Sequence, residues 1–385
     1  MMRTHWRWHL DNLKISADDH IDLGYLPKDL WTSRAPAGKA DDVPHVVERG
    51  DGEFWVCGDA TWGEYRSAKW FARPGRNPLA LDRGGVAEEG RPITPSKRLE
   101  DLDRDGVSAS VLFPPIIAMN PDDRNLRDNI VRGYNDWATE FGSAAPERFI
   151  PAAMISPTDP QSATDELMRI AKAGKLKQVN FLVNDVTLEM QFEAWDPFWS
   201  AAEETGLIVS YHVGGSLSQV AAHDLEAKLA TTARKPAFGM GAVRGGTAFY
   251  EPFVSMFTFG TLERHPGLRL VLAESGTGWI PFVVQEMDFR YEQLKDWSPN
   301  NMPLKEKPSE LFKRQVWATY QSDLVGLHLL DFFGEGHVMW ASDYPHHDST
   351  WPFSQEVVDR ETAHVAPEVK QAVLHDNAAA LYGIR

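Results

Sequence analysis

The chain has a single cysteine, Cys57, in 385 residues. No intrachain disulfide can form and a cysteine-based zinc ribbon is excluded, which fits a reducing cytoplasm. Long apolar runs are missing too. No stretch approaches the roughly 18 apolar residues of a membrane span. The opening ten residues, Met-Met-Arg-Thr-His-Trp-Arg-Trp-His-Leu, lack the apolar core of a signal peptide. Positive charge is in deficit. Lys and Arg number 39 against 55 Asp and Glu, a formal charge of -16. Nucleic acid and anionic membranes need a positive surface, so neither is expected as a partner. The net sign does not choose the charge of a small-molecule substrate, because local fields can oppose it. No Gly-x-Gly-x-x-Gly follows a strand pattern, which counts against a dinucleotide-binding open sheet.

What is present is a repeated plan. Eight short runs read as strands buried on both faces: Leu13 to Asp18, Val107 to Pro114, Phe149 to Ser156, Leu176 to Val183, Leu207 to His212, Arg269 to Glu274, Val316 to Gln321 and His337 to Asp343. Helical patterns fall between them at Asn125 to Phe141, Asp159 to Gly174, Trp195 to Gly206, Pro281 to Leu294 and Leu324 to Phe333, with Pro367 to Leu381 last. Eight strand–helix units predict an α/β fold, a (β/α)8 TIM barrel spanning residues 1–385 as one domain. Residues 21–100 and 215–258 break the repeat. They follow strands 1 and 5 and are expected to be long insertions that form lids or pocket walls. The 14 tryptophans are read as large core and loop aromatics, a minority of them lining an apolar pocket.

The chemistry sits at strand ends. Val338 to Ala341 runs straight into Ser342 and Asp343, and His346 and His347 follow. A carboxylate at the end of a buried strand calls for a metal ion or a proton transfer. The first strand ends in Asp18-Asp19-His20. Alternate strand residues share a side, so Asp18 and His20 point together and Asp19 points away. His212 ends the fifth strand before Gly214 and Gly215. Barrel closure would bring Asp343 beside Asp18 and His20 and gather Asp18, His20, His212 and Asp343 into one divalent-metal site. Glu274 ends the sixth strand, and a buried carboxylate is costly unless paired or metal-bound. It is read as a further ligand or as a general base. Of the two late histidines, His346 is favoured as the acting group.

Together Ile15-Ser-Ala-Asp18-Asp-His20, Tyr211-His212-Val-Gly, Leu268 to Pro281 and Trp340-Ala-Ser-Asp343-Tyr-Pro-His346 resemble the amidohydrolase superfamily. The likeness is to the branch of aminocarboxymuconate-semialdehyde decarboxylase and its amidohydrolase-related kin. That resemblance implies a metal-bearing (β/α)8 barrel with Asp18 and His20, His212 and Asp343 as ligands from the first, fifth and eighth strands. Two departures stand out. Asp22 replaces the second His of the His-x-His form, and Glu274 stands where the decarboxylases commonly carry a His. No Lys follows strand four, where Asn180 and Phe181 lie.

The expected activity is that of a metal-dependent hydrolase or decarboxylase acting on a small organic acid or carbonyl compound. It would work through a metal-bound water or a metal-gripped carboxylate, with Asp343, Glu274 and His346 as proton-handling groups. Zn, Mn and Fe suit the donors alike. One ion is expected and two form the alternative, since some relatives in the branch resemble dinuclear non-haem Fe or Mn/Fe oxygenases. A degenerate structural subunit is the non-catalytic alternative. A homo-oligomer, or a hetero-oligomer with a paralogue, is the assembly the resemblance implies.

Overall fold

The computed structural model describes residues 14–50, 52–65, 91–116, 119–215, 246–297, 304–334, 336–346 and 349–384. Strand β1 (Lys14–His20) opens the chain. A small antiparallel meander follows, β2 (His45–Arg49), β3 (Gly52–Cys57) and β4 (Ala60–Glu64). Then come β5 (Val107–Phe113), β6 (Phe149–Met154), β7 (Gln178–Leu182), β8 (Ile208–His212), β9 (Leu270–Ala273), β10 (Val316–Tyr320) and β11 (Val338–Trp340). The eight strands other than the meander pair in parallel in chain order. They are the eight predicted from sequence. The last meets the first through the residues just beyond β11: Asp343 N donates to Asp18 O at 3.0 Å and His20 N to Tyr344 O at 2.7 Å. The eight parallel strands with helices between them form a nearly closed (β/α)8 barrel.

Helices Arg124–Gly142, Pro160–Ala173, Asp196–Thr205, Tyr250–Thr258, Ile280–Leu294 and Ser354–Glu361 cover the outside. Local chemistry sets their ends. Asp159 caps Pro160–Ala173 by accepting from Ser162 N at 2.7 Å, and Gly174 closes it in the left-handed region at φ 64°. Two expected helices are broken. Residues 324–333 divide at Leu329 into Leu324–His328 and Leu330–Phe333. Residues 367–381 pass through a π turn, Ala372–Asp376. The region 21–100, expected to be irregular, holds the meander and a further helix, Pro95–Asp105. Residues 66–90 and 216–245 of the two insertions lie outside the described residues, and so does His347.

Strand alternation sorts the core into two layers. Ile15, Ala17, Val111, Ile208, Val271 and Met339 fill the barrel, with Leu381 and Tyr382 of the last helix closing its base. Leu112, Val209, Leu270 and Leu272 pack outward against the helices. A polar thread crosses the apolar lumen. Tyr382 donates to Gln178, Gln178 to Ser210 and Ser210 to Asn180, at 2.6, 3.0 and 2.7 Å. Each link satisfies a buried polar group that would otherwise destabilise the fold. Among the described residues no helix is long and apolar enough to cross a membrane.

One buried carboxyl makes this fold pH-sensitive. Burial raises Asp105 from its ordinary 3.8 to about 7, against the hydrogen bonds from Ser354 N and Oγ. The folded chain binds this proton more tightly than the unfolded one. Stability is therefore lost as pH climbs from about 4 to about 7, by a few kcal/mol. Asp105→Asn keeps an acceptor for Ser354 N and removes the titration. Urea midpoints of the variant at pH 5 and pH 8 should lie closer together than those of the natural chain; an unchanged gap would refute the assignment.

Candidate metal centre

Three local devices deliver the site. The first is a bulge in β1, where Ser16 pairs with Ser110 and Asp19 with Leu112, so three residues of β1 oppose two of β5. The extra residue lets Ala17 line the lumen while Asp18 and His20 also face inward. Asp19 points the other way, as expected, but into the barrel wall rather than to solvent. There it accepts from Ser16 Oγ at 2.7 Å, Ser342 Oγ at 2.6 Å, Tyr344 N at 3.0 Å and Ser110 Oγ. The second device is the end of β9. Leu270 and Leu272 face outward, so simple alternation would turn Glu274 outward as well. Instead Glu274 adopts φ 53°, a left-handed conformation rare for such a residue, and its carboxylate returns to the site. The third is Asp343, also left-handed at φ 61°.

The side chains meet at the C-terminal mouth of the barrel. Asp18 Oδ1 lies 3.3 Å from His212 Nε2 and 3.6 Å from His20 Nε2. Glu274 Oε2 lies 3.4 Å from His212 Nε2 and 3.8 Å from His20 Nε2. Asp343 Oδ1 is 3.1 Å from His20 Nε2 and 2.9 Å from His346 Nδ1. The Glu274 side chain is 26% exposed whereas Asp18, His20, His212 and Asp343 are buried, so the site opens on the Glu274 side. His346 stacks on His20 at 3.8 Å between ring centroids, and its Nε2 lies 3.2 Å from Asp22 Oδ2. Asp22 is thus the outer carboxylate of an Asp343–His346–Asp22 row.

The protonation pattern suits a cation. His212 Nδ1 lies 2.8 Å from Val213 O, which can only accept; Nδ1 carries the proton and Nε2 presents its lone pair. Burial, and after it the neighbouring His346 and His212, hold His20 well below the ordinary imidazole pKa, in the neutral form that ligates. Burial opposes charge on His346, but Asp343 and Asp22 outweigh it and hold that ring well above the ordinary value. His346 in turn lowers Asp22 against the effect of burial. Neither ring nitrogen of His20 has a hydrogen-bond partner among the described residues, and buried polar atoms rarely stay unsatisfied. Ligand bonds of about 2.0–2.2 Å place neighbouring donor atoms about 3.0–3.5 Å apart, close to the separations seen here. The donor set therefore fits a divalent cation.

The chain matches the amidohydrolase family over residues 69–384. The chain belongs to that family. Among curated relatives, the γ-resorcylate decarboxylase of Rhizobium sp. (strain MTP-10005) is 25% identical over 271 residues, covering 66% of this chain and 79% of that protein. An amidohydrolase from Mycobacterium avium subsp. paratuberculosis K-10 is 20% identical, with a TM-score of 0.75 over 97% of this chain and 98% of the other. The 5-carboxyvanillate decarboxylase of Novosphingobium aromaticivorans DSM 12444, complexed with manganese and a nitrobenzoic acid, is 20% identical. Its TM-score is 0.61, over 79% of this chain and 85% of the other. This chain is an enzyme of the family, with a divalent metal ion as its cofactor.

The residues named from sequence, Asp18, His20, His212, Glu274, Asp343 and His346, lie together. Sequence reasoning missed Thr319, whose hydroxyl reaches Asp18, and Gln321, whose Nε2 lies 3.5 Å from Asp343 Oδ2. Both sit at the end of β10, the same kind of position that singled out the others. One prediction follows from the Glu274 backbone. Asn enters the left-handed region several-fold more readily than Glu. Glu274→Asn should stabilise the metal-free barrel by about 1 kcal/mol while lowering turnover, read from urea midpoints and activity. A metal-free variant no more stable than the natural chain would remove the strain assignment.

Proposed function

We propose that this chain is a metal-dependent decarboxylase of a small organic acid, with one divalent cation held by Asp18, His20, His212 and Asp343. The observation that carries the reading is the buried convergence of those four side chains with Glu274 at the barrel mouth. The relatives support the reaction type: both named decarboxylases take a small aromatic acid. Manganese is the cation of the Novosphingobium structure, and carboxylate and imidazole donors suit it.

When bound, the cation supplies a Lewis-acid grip on the substrate carboxylate or on an oxygen beside it. The chain's own residues do the rest. Phe113 packs on His212 at 4.7 Å between centroids, and Pro114 after it joins Met119, Met154, Asn120, Asn180 and Asp185 in lining a small cleft of mixed polarity. In this reading His346, between Asp343 and Asp22, would deliver a proton to the carbon that loses its carboxylate, and Glu274, on the open side, would take a proton from an incoming hydroxyl group.

One observation favours a second reading. His346 and Asp22 face each other beside Asp343, outside the group formed by Asp18, His20 and His212. A second cation held there, with iron in the pair, supports oxygenation instead. The test is manganese-loaded and iron-loaded protein offered γ-resorcylate and 5-carboxyvanillate, with elemental analysis of each preparation. Carbon dioxide release with one ion per chain supports decarboxylation. Oxygen uptake with two ions transfers the function to the second reading. A protein that retains no metal and turns over neither acid would remove the proposed reaction.

A further inference from the structure

The cation site leaves one hydroxyl to be explained. Thr319 is fully buried on β10, and its residue type carries no chemistry of its own for the proposed reaction. It shares the inward face of β10 with Trp317, while Ala318 and Tyr320 pack outward. Its Oγ1 donates to Asp18 Oδ2 at 3.2 Å and accepts from Glu274 N at 2.9 Å. A hydroxyl has a single proton to give and lone pairs to receive with. The proton goes to Asp18 Oδ2, which leaves Asp18 Oδ1 to face His20 and His212. The lone pair holds the backbone N–H of Glu274, the residue whose left-handed bend returns its carboxylate to the site. Among the described residues, Thr319 is the one hydroxyl that donates to the Asp18 carboxylate.

We propose that Thr319 is a positioning residue for metal binding, one hydroxyl that fixes which oxygen Asp18 presents and where Glu274 turns inward. The proposal rests on the cation site described above. Outer partners that orient metal ligands typically change metal affinity by about 10–100-fold when removed. Valine fills the volume of threonine without the hydroxyl. It leaves Asp18 Oδ2 and Glu274 N without the Thr319 hydroxyl as their partner. Serine keeps the hydroxyl and drops only the methyl group.

The experiment is calorimetric titration of the metal-free full-length protein with Mn2+, alongside Thr319→Val, Thr319→Ser and Thr319→Ala. Thermal melting of each metal-free form is recorded in parallel. Thr319→Val and Thr319→Ala should bind Mn2+ about 10–100-fold more weakly, and Thr319→Ser within about threefold of the natural chain. The Ser and Ala variants differ only by the hydroxyl, so their comparison stands even where Thr319→Val fails to fold. Glu274→Gln should cost less affinity in the Thr319→Val background than alone, because one change has already released the other group. Affinity that follows melting temperature instead of the hydroxyl would overturn the proposal. So would a Thr319→Ala affinity equal to that of Thr319→Ser. A natural chain that binds no Mn2+ would bring down the cation site itself, and this inference with it.

Discussion

Asp343→Asn gives a folded barrel that no longer retains its cation or turns over substrate. The substitution isolates charge from shape. Asp343 sits at φ 61°, and Asn is among the side chains that tolerate the left-handed region best. Its backbone N–H still donates to Asp18 O, so the seam between the first and last barrel strands persists. What disappears is the negative charge 3.1 Å from His20 Nε2 and 2.9 Å from His346 Nδ1. Loss of a direct ligand should exceed the roughly 10–100-fold that outer partners cost in metal affinity. Loss of the acid–base link to His346 should remove a further 10²–10⁴-fold or so of turnover. Plasma emission spectroscopy reads the metal and circular dichroism reads the fold. Metal content equal to that of the natural chain would end the assignment of Asp343 as a ligand. The metal-free variant should melt no lower than the metal-free natural chain, because the change removes one of several crowded carboxylate charges.

The barrel was legible in the sequence because its strands are buried on both faces. Val338 to Trp340 has no polar residue to hide, so the carboxylate three residues later stands out. Asp18 and His20 were legible through simple alternation. The bulge that lets Ala17 share their side was not, because a bulge is a register between two strands and has no marker in one of them. Glu274 illustrates the opposite failure. Alternation from Leu270 and Leu272 turns it outward, and only the φ inversion brings it in. Thr319 and Gln321 are ordinary strand residues until the carboxylates opposite them are known. The meander did leave a trace. Gly58-Asp59 follows the run Glu53-Phe-Trp-Val-Cys57, a hairpin signal that the surrounding glycine and charge obscured. Arg98, 79 positions from Asp19, could not be paired with it by any local rule.

That pair carries the largest expected effect on stability. The Arg98 guanidinium is fully buried, with Nη2 3.8 Å from Asp19 Oδ2. Its Nη1 donates to His20 O at 2.8 Å and to Pro92 O at 3.1 Å, and its Nη2 to Tyr344 O at 3.5 Å. Asp19 accepts from β1, from β5 and from the two residues flanking Asp343, Ser342 and Tyr344. The two charges therefore clasp the closing seam of the barrel beside two of the proposed ligands. Removing one partner of a buried pair leaves the other uncompensated, at a typical cost of about 3–5 kcal/mol. Asp19→Asn should lower stability by that order, read from urea unfolding, and Asp19→Ala by more, since it also abandons three hydroxyl donors. Arg98→Met in the Asp19→Asn background should recover part of the loss, because no unpaired charge then remains inside. Full additivity of the two changes would mean that the charges do not stabilise each other. A milder consequence reaches the metal. His20 and Asp343 are held in register by the backbone bonds that this clasp secures, so Asp19→Asn should also weaken Mn2+ binding under conditions where the variant is still fully folded.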